Sequence, residues 1–242
     1  MESSKGTLYG ISVGPGDPDL ISMKAVKVLA KVDVIFAASS SKNNHSQAVH
    51  IARHYLPKSA PVTMLSFPMT KDRKKARAAW RENARIILDE LNKGRNAAFL
   101  TLGDALTYST YGYVLQEIQA LAPAQPVETI PGITSYQAAA ARLNMPLVEG
   151  EESLLVVSGV NGGDRLRQFK CTPENVVFMK AYKHVEDITA TLEECDLIDS
   201  SVGICRCGRP DEEIIRDVRE LCKRPPGYWT LVIAKQPKQD EA

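Results

Sequence analysis

Thr7-Leu8-Tyr9-Gly10-Ile11-Ser12-Val13 runs directly into Gly14-Pro15-Gly16-Asp17-Pro18-Asp19, and this junction decides the fold. The first seven residues read as a short buried strand. The turn that follows has Asp17 placed as an N-cap and Pro18 at the first helical position. Beyond it Ile21, Ala25, Val28, Leu29 and Val32 recur at helical spacing. A strand feeding a helix through a glycine turn is the first unit of an α/β fold, and the pattern continues. Strands are expected at Val32–Ala37, Val62–Leu65, Ala97–Thr101 and Val127–Ile130, with a polar loop over Ser39–Gln47. Helices are expected over Lys74–Lys93, around Tyr111, Leu115 and Ile118, and over Tyr136–Leu143. Short apolar strands alternating with amphipathic helices predict a parallel sheet covered on both faces.

The second half repeats the style more loosely. Its expected strands are Ser153–Ser158, Val176–Met179, Val202–Cys205 and Tyr228–Ala234; its expected helices are Asp164–Phe169, Val185–Cys195 and Glu212–Lys223. Pro146 and the acidic residues after it suggest two α/β domains, residues 1–147 and 148–242, the first sheet mainly parallel and the second mixed.

Composition narrows the class. The 242 residues carry 30 Lys+Arg against 29 Asp+Glu, a net charge of +1, with 44% hydrophobic residues. Near-neutrality argues against a nucleic-acid partner. No apolar run reaches the roughly 18 residues of a membrane span, and the start of the chain lacks the apolar segment of a signal peptide. Five cysteines without scaffold spacing read as reduced thiols in a cytoplasmic protein.

Three glycine-bearing turns are the candidate binding segments. Gly14-Pro15-Gly16 departs from a dinucleotide fingerprint: Asp19 stands at the third glycine, and two prolines remove amide donors that a pyrophosphate needs. Leu102-Gly103-Asp104-Ala105 lies at the end of a strand, where open α/β sheets bind ligands. Asp104 could accept a hydrogen bond from a ligand or cap a helix with Thr107 at its third position. Pro131-Gly132-Ile133-Thr134-Ser135 closes another strand, with Thr134 or Ser135 as cap or as ligand contacts. The run Lys71-Asp72-Arg73-Lys74-Lys75-Ala76-Arg77 reads either as a solvated helix start or as an attractor of polyanions. His50 and His54, with His45 nearby, have a spacing that can hold zinc, but no HExxH motif accompanies them, and no metal is expected.

The order and spacing of these segments are more specific than any one of them. Leu8–Ile21, Thr101–Tyr111 and Ile130–Leu143 together resemble the tetrapyrrole methylase family. Within it, Tyr108–Tyr113 and Pro131–Leu147 resemble the branch that methylates C20 of precorrin-2 or cobalt-factor II in cobalamin synthesis. The resemblance implies two α/β domains, a homodimer, a tetrapyrrole substrate and S-adenosylmethionine held in a cleft. It implies cofactor contacts from Pro15, Gly103, Asp104, Thr107, Thr134 and Ser135, and from Lys180, Ala181 and Gly208, with Cys207 and Thr230 as weaker candidates. It assigns no catalytic residue. Three departures stand out. Ala105 replaces the proline of the common Gly-Asp-Pro form, as in the cobalt-factor branch. Phe99 replaces an arginine of the siroheme-type enzymes, and Lys180 replaces a methionine. The alternatives are a siroheme-type uroporphyrinogen methyltransferase, a methylase of a diphthamide precursor, a tetrapyrrole carrier without catalysis and, more remotely, a zinc hydrolase.

Overall fold

The computed structural model describes residues 5–40, 46–169, 171–224 and 226–236. The chain divides into two compact units, residues 1–134 and 135–242. In the first, β1 (Leu8–Ser12), β2 (Val34–Ser40), β3 (Val62–Phe67), β4 (Ala97–Thr101) and β5 (Val127–Ile130) form one sheet in the order β3-β2-β4-β1-β5. Every pairing is parallel. All five residues of central β4 are buried, and the two-residue period of a strand sorts them by face. Ala97 and Phe99 pack with Leu8, Phe36 and Leu65 against α3 (Arg73–Asn92) and α4 (Tyr111–Leu121). Ala98 and Leu100 pack with Ile11, Ile35 and Ala37 against α1 (Met23–Leu29) and α2 (Gln47–Ala52). Both faces are therefore apolar, as a buried parallel sheet requires. Tyr111 is fully buried; its hydroxyl shares a 2.9 Å hydrogen bond with Thr129, and burial pushes its pKa up, so the phenol stays neutral.

The helix after the first turn begins later than its pattern suggests. Asp17 accepts from the Asp19 amide and caps only a single tight turn, Pro18–Leu20; α1 starts at Met23 under Ser22, whose hydroxyl accepts from the Ala25 amide. The expected loop Ser39–Gln47 is bounded differently. Ser39 and Ser40 belong to β2, Gln47 opens α2, and 41–45 lie outside the described residues.

The second unit contains α5 (Ser135–Leu143), β6 (Leu154–Ser158), α6 (Asp164–Arg167), β7 (Asn175–Met179), α7 (Val185–Glu194), β8 (Ser201–Cys205), β9 (Glu213–Ile215), α8 (Glu220–Lys223) and β10 (Thr230–Lys235). Its sheet runs β6-β7-β10-β8-β9; only β6 and β7 pair in parallel. Val176, Phe178 and Val232 face α7 and α8, whereas Val177, Leu231 and Ile233 face Ala139 of α5. Residues 135–147, placed in the first domain by the sequence, are grouped with this unit, because Ala139, Leu143, Met145 and Leu147 pack on β8 and β10. The expected helix Glu212–Lys223 is instead β9 followed by the one-turn α8. Adjacent Ile214 and Ile215 suit a strand, and Gly203–Cys205 of β8 offers an edge to pair with.

Candidate functional site

In a parallel sheet every strand-to-helix connection emerges at the same edge, so the turns after β1, β4 and β5 are neighbours by topology. Hydrogen bonds weld them together. Gly14 and Gly103 exchange backbone bonds, Gly103 N to Gly14 O at 2.7 Å and Gly14 N to Gly103 O at 3.3 Å. Both have positive φ, +77° and +67°, which a side chain would strain. Asp104 reaches across to β5: its Oδ2 accepts from the Gly132 amide at 3.2 Å, while Oδ1 accepts from the Leu106 amide at 2.9 Å and the Thr107 hydroxyl at 3.0 Å. Asp104 does not cap a helix. α4 begins at Tyr111, with Thr110 as its capping residue, and Asp104 closes a turn within the connection instead.

A residue not singled out in the sequence, Ser12, completes the weld. It is fully buried at the end of β1, donates to the Ile130 carbonyl at 2.7 Å and accepts from the Ala105 amide at 2.9 Å. One hydroxyl thus ties β1 to both other turns, satisfying two backbone groups that would otherwise need partners. Its only sequence signal is a polar residue inside an apolar strand.

Of the expected contacts, Pro15, Gly103, Asp104 and Thr107 gather on this platform, with Pro15 and Gly103 buried and the other two half-buried. Buried Thr134 ends the β5 connection, and Ser135 is the first residue of α5. The platform consists of loop backbone, hydroxyls and carboxylates: Asp104 on the β4 turn, and Asp17 and Asp19 on the β1 turn, where Asp17 accepts from the Asp19 amide. Among the described residues, Asp104 Oδ2 receives one protein donor, the Gly132 amide, and a carboxylate oxygen has capacity for another. This donor and acceptor set suits a ligand amine or hydroxyl better than a phosphate.

The second unit's candidates collect at one edge of its own sheet. Lys180 follows β7 with φ +59°, the Ala181 amide donates to the Thr230 carbonyl at 2.9 Å, and exposed Gly208 follows β8 with φ +74°. Thr230 is buried; its hydroxyl donates to the Gly227 carbonyl at 2.8 Å. The Gly208 amide donates to Glu212 Oε2 at 2.9 Å. Lys180, half-buried, and Gly208, exposed, thus make left-handed turns after β7 and β8 at this sheet edge.

Burial, with the Glu212 carboxylate beside it, pushes the Cys207 thiol up to about 11. The folded value exceeds the ordinary one, so the stability it contributes is present below pH 9 and is lost as pH rises from 9 towards 11. At pH 8 only about one Cys207 in a thousand is thiolate, the form that reacts. Brief iodoacetamide treatment at pH 8 is expected to label exposed Cys171 well before Cys207, with the Cys207 rate rising about tenfold per pH unit. Peptide mass spectrometry reads this; equal labelling would contradict the buried environment. Among the described residues no group of three or more His, Cys, Asp or Glu could hold a metal; His50 lies on α2, His54 lies in the turn after it, and His45 lies outside the described residues.

The sequence matches the family of Tetrapyrrole (Corrin/Porphyrin) Methylases over residues 7–221. The chain belongs to the tetrapyrrole methylase family. Among curated tetrapyrrole methylases, it is 34% identical over 233 residues to a cobalt-precorrin-2 C(20)-methyltransferase of Salmonella typhimurium, covering 96% of this chain and 97% of the relative. It is 29% identical over 237 residues to a precorrin-2 C(20)-methyltransferase of a Sinorhizobium species, covering 94% of each. The fold is also that of solved structures. The uroporphyrin III C-methyl transferase from Thermus thermophilus superposes with a TM-score of 0.68 at 21% identity, over 95% of this chain and 97% of the other. A putative cobalamin synthesis related protein from Corynebacterium diphtheriae gives 0.73 at 16% identity, over 97% of this chain and 100% of the other.

Proposed function

We propose that this tetrapyrrole methylase transfers a methyl group from S-adenosylmethionine to C20 of precorrin-2 or cobalt-factor II, a step of cobalamin synthesis. The observation that carries the reading is end-to-end similarity at 34% identity to a C20-methyltransferase. The metallated ring is the favoured substrate, since the relative named for the cobalt form is closer than the one named for precorrin-2, 34% against 29%.

The platform's chemistry fits the cofactor. S-adenosylmethionine carries an ammonium and ribose hydroxyls and no phosphate, matching the Asp104 carboxylate, which has spare acceptor capacity, and turns that contain no cation. In the first unit Pro15, Gly103, Asp104, Thr107, Thr134 and Ser135, which follows directly, are assigned to it; Lys180, Ala181 and Gly208 are the second unit's candidates, each to be read by its own substitution. S-adenosylmethionine supplies an electrophilic methyl group, so that C20 forms the new carbon–carbon bond, the electrons of the broken bond stay on sulfur, and a proton leaves C20. The protein's part is to hold the two reactants in line. Orientation of this kind is worth roughly 7–11 kcal/mol in favourable systems. Asp104 therefore binds and orients and does not take the proton, and no covalent enzyme intermediate is needed.

A cytoplasmic homodimer completes the reading. The five free thiols support the cytoplasmic part of it, and the dimer rests on the family resemblance alone; no described helix is long and apolar enough to cross a membrane. Light scattering checks the dimer. The decisive test is calorimetric titration with S-adenosylhomocysteine, followed by turnover of cobalt-factor II with isotopically labelled cofactor and location of the methyl by NMR. Micromolar binding and label at C20 are expected. No binding of the homologue overturns the methyltransferase reading, and label at C2 or C7 makes the enzyme siroheme-type.

A further inference from the structure

The connection after β3 opens at the same sheet edge as the platform, two strands to the side of β4, whose own connection is part of the platform. Two features coincide there. First, the β3–α3 connection and the start of α3 carry Lys71, Arg73, Lys74, Lys75 and Arg77 against the single carboxylate Asp72, within seven residues. Asp72 is occupied as the cap of α3, accepting from the Lys74 and Lys75 amides. Arg77 is paired with Glu117 at 2.9 Å, whereas Lys71, Arg73, Lys74 and Lys75 are exposed and make no ion pair among the described residues. Second, large apolar side chains stand in solvent on the β3 and β4 connections and the first turn of α4: Met69 is 76% exposed, Leu106 64%, Tyr108 48% and Tyr113 43%.

These features are joined by packing between α3 and α4. Both helices start at this edge and run side by side. Arg77 meets Glu117 across them, and Trp80, one turn further along α3, stacks face to face on Tyr113, one turn back along α4, with centroids 4.0 Å apart and planes 4° from parallel. Positions 73, 77 and 80 fall on one stripe of α3, so Arg73 and the Arg77–Glu117 pair lead into the aromatic stack, while Lys74 and Lys75 face other directions on the same turn and Lys71 precedes the helix. The stack is a rigid flat element with one ring half in solvent, beside excess positive charge.

We infer that this rim, built from the basic start of α3 and the Trp80–Tyr113 stack, is the subsite that takes the tetrapyrrole's carboxylates and the edge of its ring, next to the cofactor platform. The inference rests on the methyltransferase reading and names the substrate-recognition side of it. A ring bearing many carboxylates presents a flat apolar body with an anionic periphery, which is what exposed aromatics bordered by unpaired cations complement. The cofactor is a poorer match, because its sulfonium and ammonium would be repelled by the cations. A second copy of the chain is also a poorer match: a symmetric contact through this patch would bring two basic runs together.

The test uses the full-length protein. Trp229→Phe leaves Trp80 as the only tryptophan, and cobalt-factor II is expected to quench it on binding. Lys71→Ala/Lys74→Ala/Lys75→Ala, all at exposed positions, is expected to raise the dissociation constant for cobalt-factor II at least tenfold and to flatten its salt dependence. Tyr113→Ala is expected to raise it about fivefold. In both variants, S-adenosylhomocysteine affinity should stay within twofold of the unsubstituted protein. The inference is overturned if the unsubstituted protein binds and methylates the ring while the triple variant matches it, if cofactor affinity falls in parallel, or if the triple variant instead changes the oligomeric state. A protein that binds S-adenosylhomocysteine but no tetrapyrrole, or binds neither, fails the functional reading itself, which is a different result. Thermal unfolding of each variant confirms that the fold is kept.

Discussion

Asp104→Ala is expected to weaken S-adenosylhomocysteine binding about 100-fold while the protein stays folded. The carboxylate is half-buried and accepts from the Leu106 amide, the Thr107 hydroxyl and the Gly132 amide, so it fixes the β4 connection and ties it to β5. In the proposed complex it also accepts from the ligand. Hydrogen bonds to a charged group contribute about 1.5–3 kcal/mol each, and a loss near 2.7 kcal/mol is a hundredfold in affinity. The protein-side bonds border solvent, so water can replace part of what they supply, and the fall in Tm should be only a few degrees. Asp104→Asn separates the two roles. Its remaining carbonyl can still accept from Leu106 and Thr107, which keeps the turn, but the charge is gone; its affinity should fall between those of the parent and Asp104→Ala. Calorimetry reads all three proteins. Undiminished affinity in a folded Asp104→Ala protein would show that the platform does not hold the cofactor, and the tetrapyrrole-carrier alternative would take its place.

Much of the fold was legible because a buried parallel sheet writes a strong local signal. β4 and β5 fall where the sequence places them, since Ala97–Thr101 and Val127–Ile130 are bounded by turn residues on both sides. The misreadings arose where a local pattern had two outcomes, settled in one case by a competing cap nearby and in the others by distant partners. Asp17-Pro18 signals a helix start, but that signal serves a single turn, and Ser22 supplies the second start that begins α1. Glu212–Lys223 carries enough periodicity for a helix, yet the exposed edge of β8 captures Glu213–Ile215. Asp104 has the spacing of a cap and instead bonds across 28 residues to Gly132. Ser12 is the extreme case. Its partners lie 93 and 118 residues away, so nothing near it in the chain reveals its role. The basic run after β3 was visible as composition, but the aromatic stack beside it depends on the packing of α3 against α4.

The geometry around Ser12 leads to the second large effect. Gly132→Ala is expected to lower stability by about 1–3 kcal/mol, the usual cost of overpacking a closed site, and to weaken S-adenosylhomocysteine binding tenfold or more. A β-carbon at residue 132 would sit 2.4 Å from Ser12 Cβ and 2.9 Å from the Gly103 carbonyl oxygen. Neither neighbour can yield easily. Ser12 is fully buried in β1, next to central β4, and held by two hydrogen bonds; Gly103 is fixed by its paired backbone bonds to Gly14. The β5 connection must therefore move, and the first bond it stretches is the 3.2 Å contact from the Gly132 amide to Asp104. Steric damage would thus reach the proposed ligand carboxylate without any change at residue 104. A double-mutant cycle on Tm tests this route. Ser12→Gly alone should destabilise, because it strips partners from the Ile130 carbonyl and the Ala105 amide. In the Gly132→Ala background the same change removes the carbon that the new methyl meets, so its cost should shrink or reverse. Strict additivity of the two substitutions would show that the methyl is accommodated elsewhere and that Ser12 does not set the approach of the β1 and β5 turns.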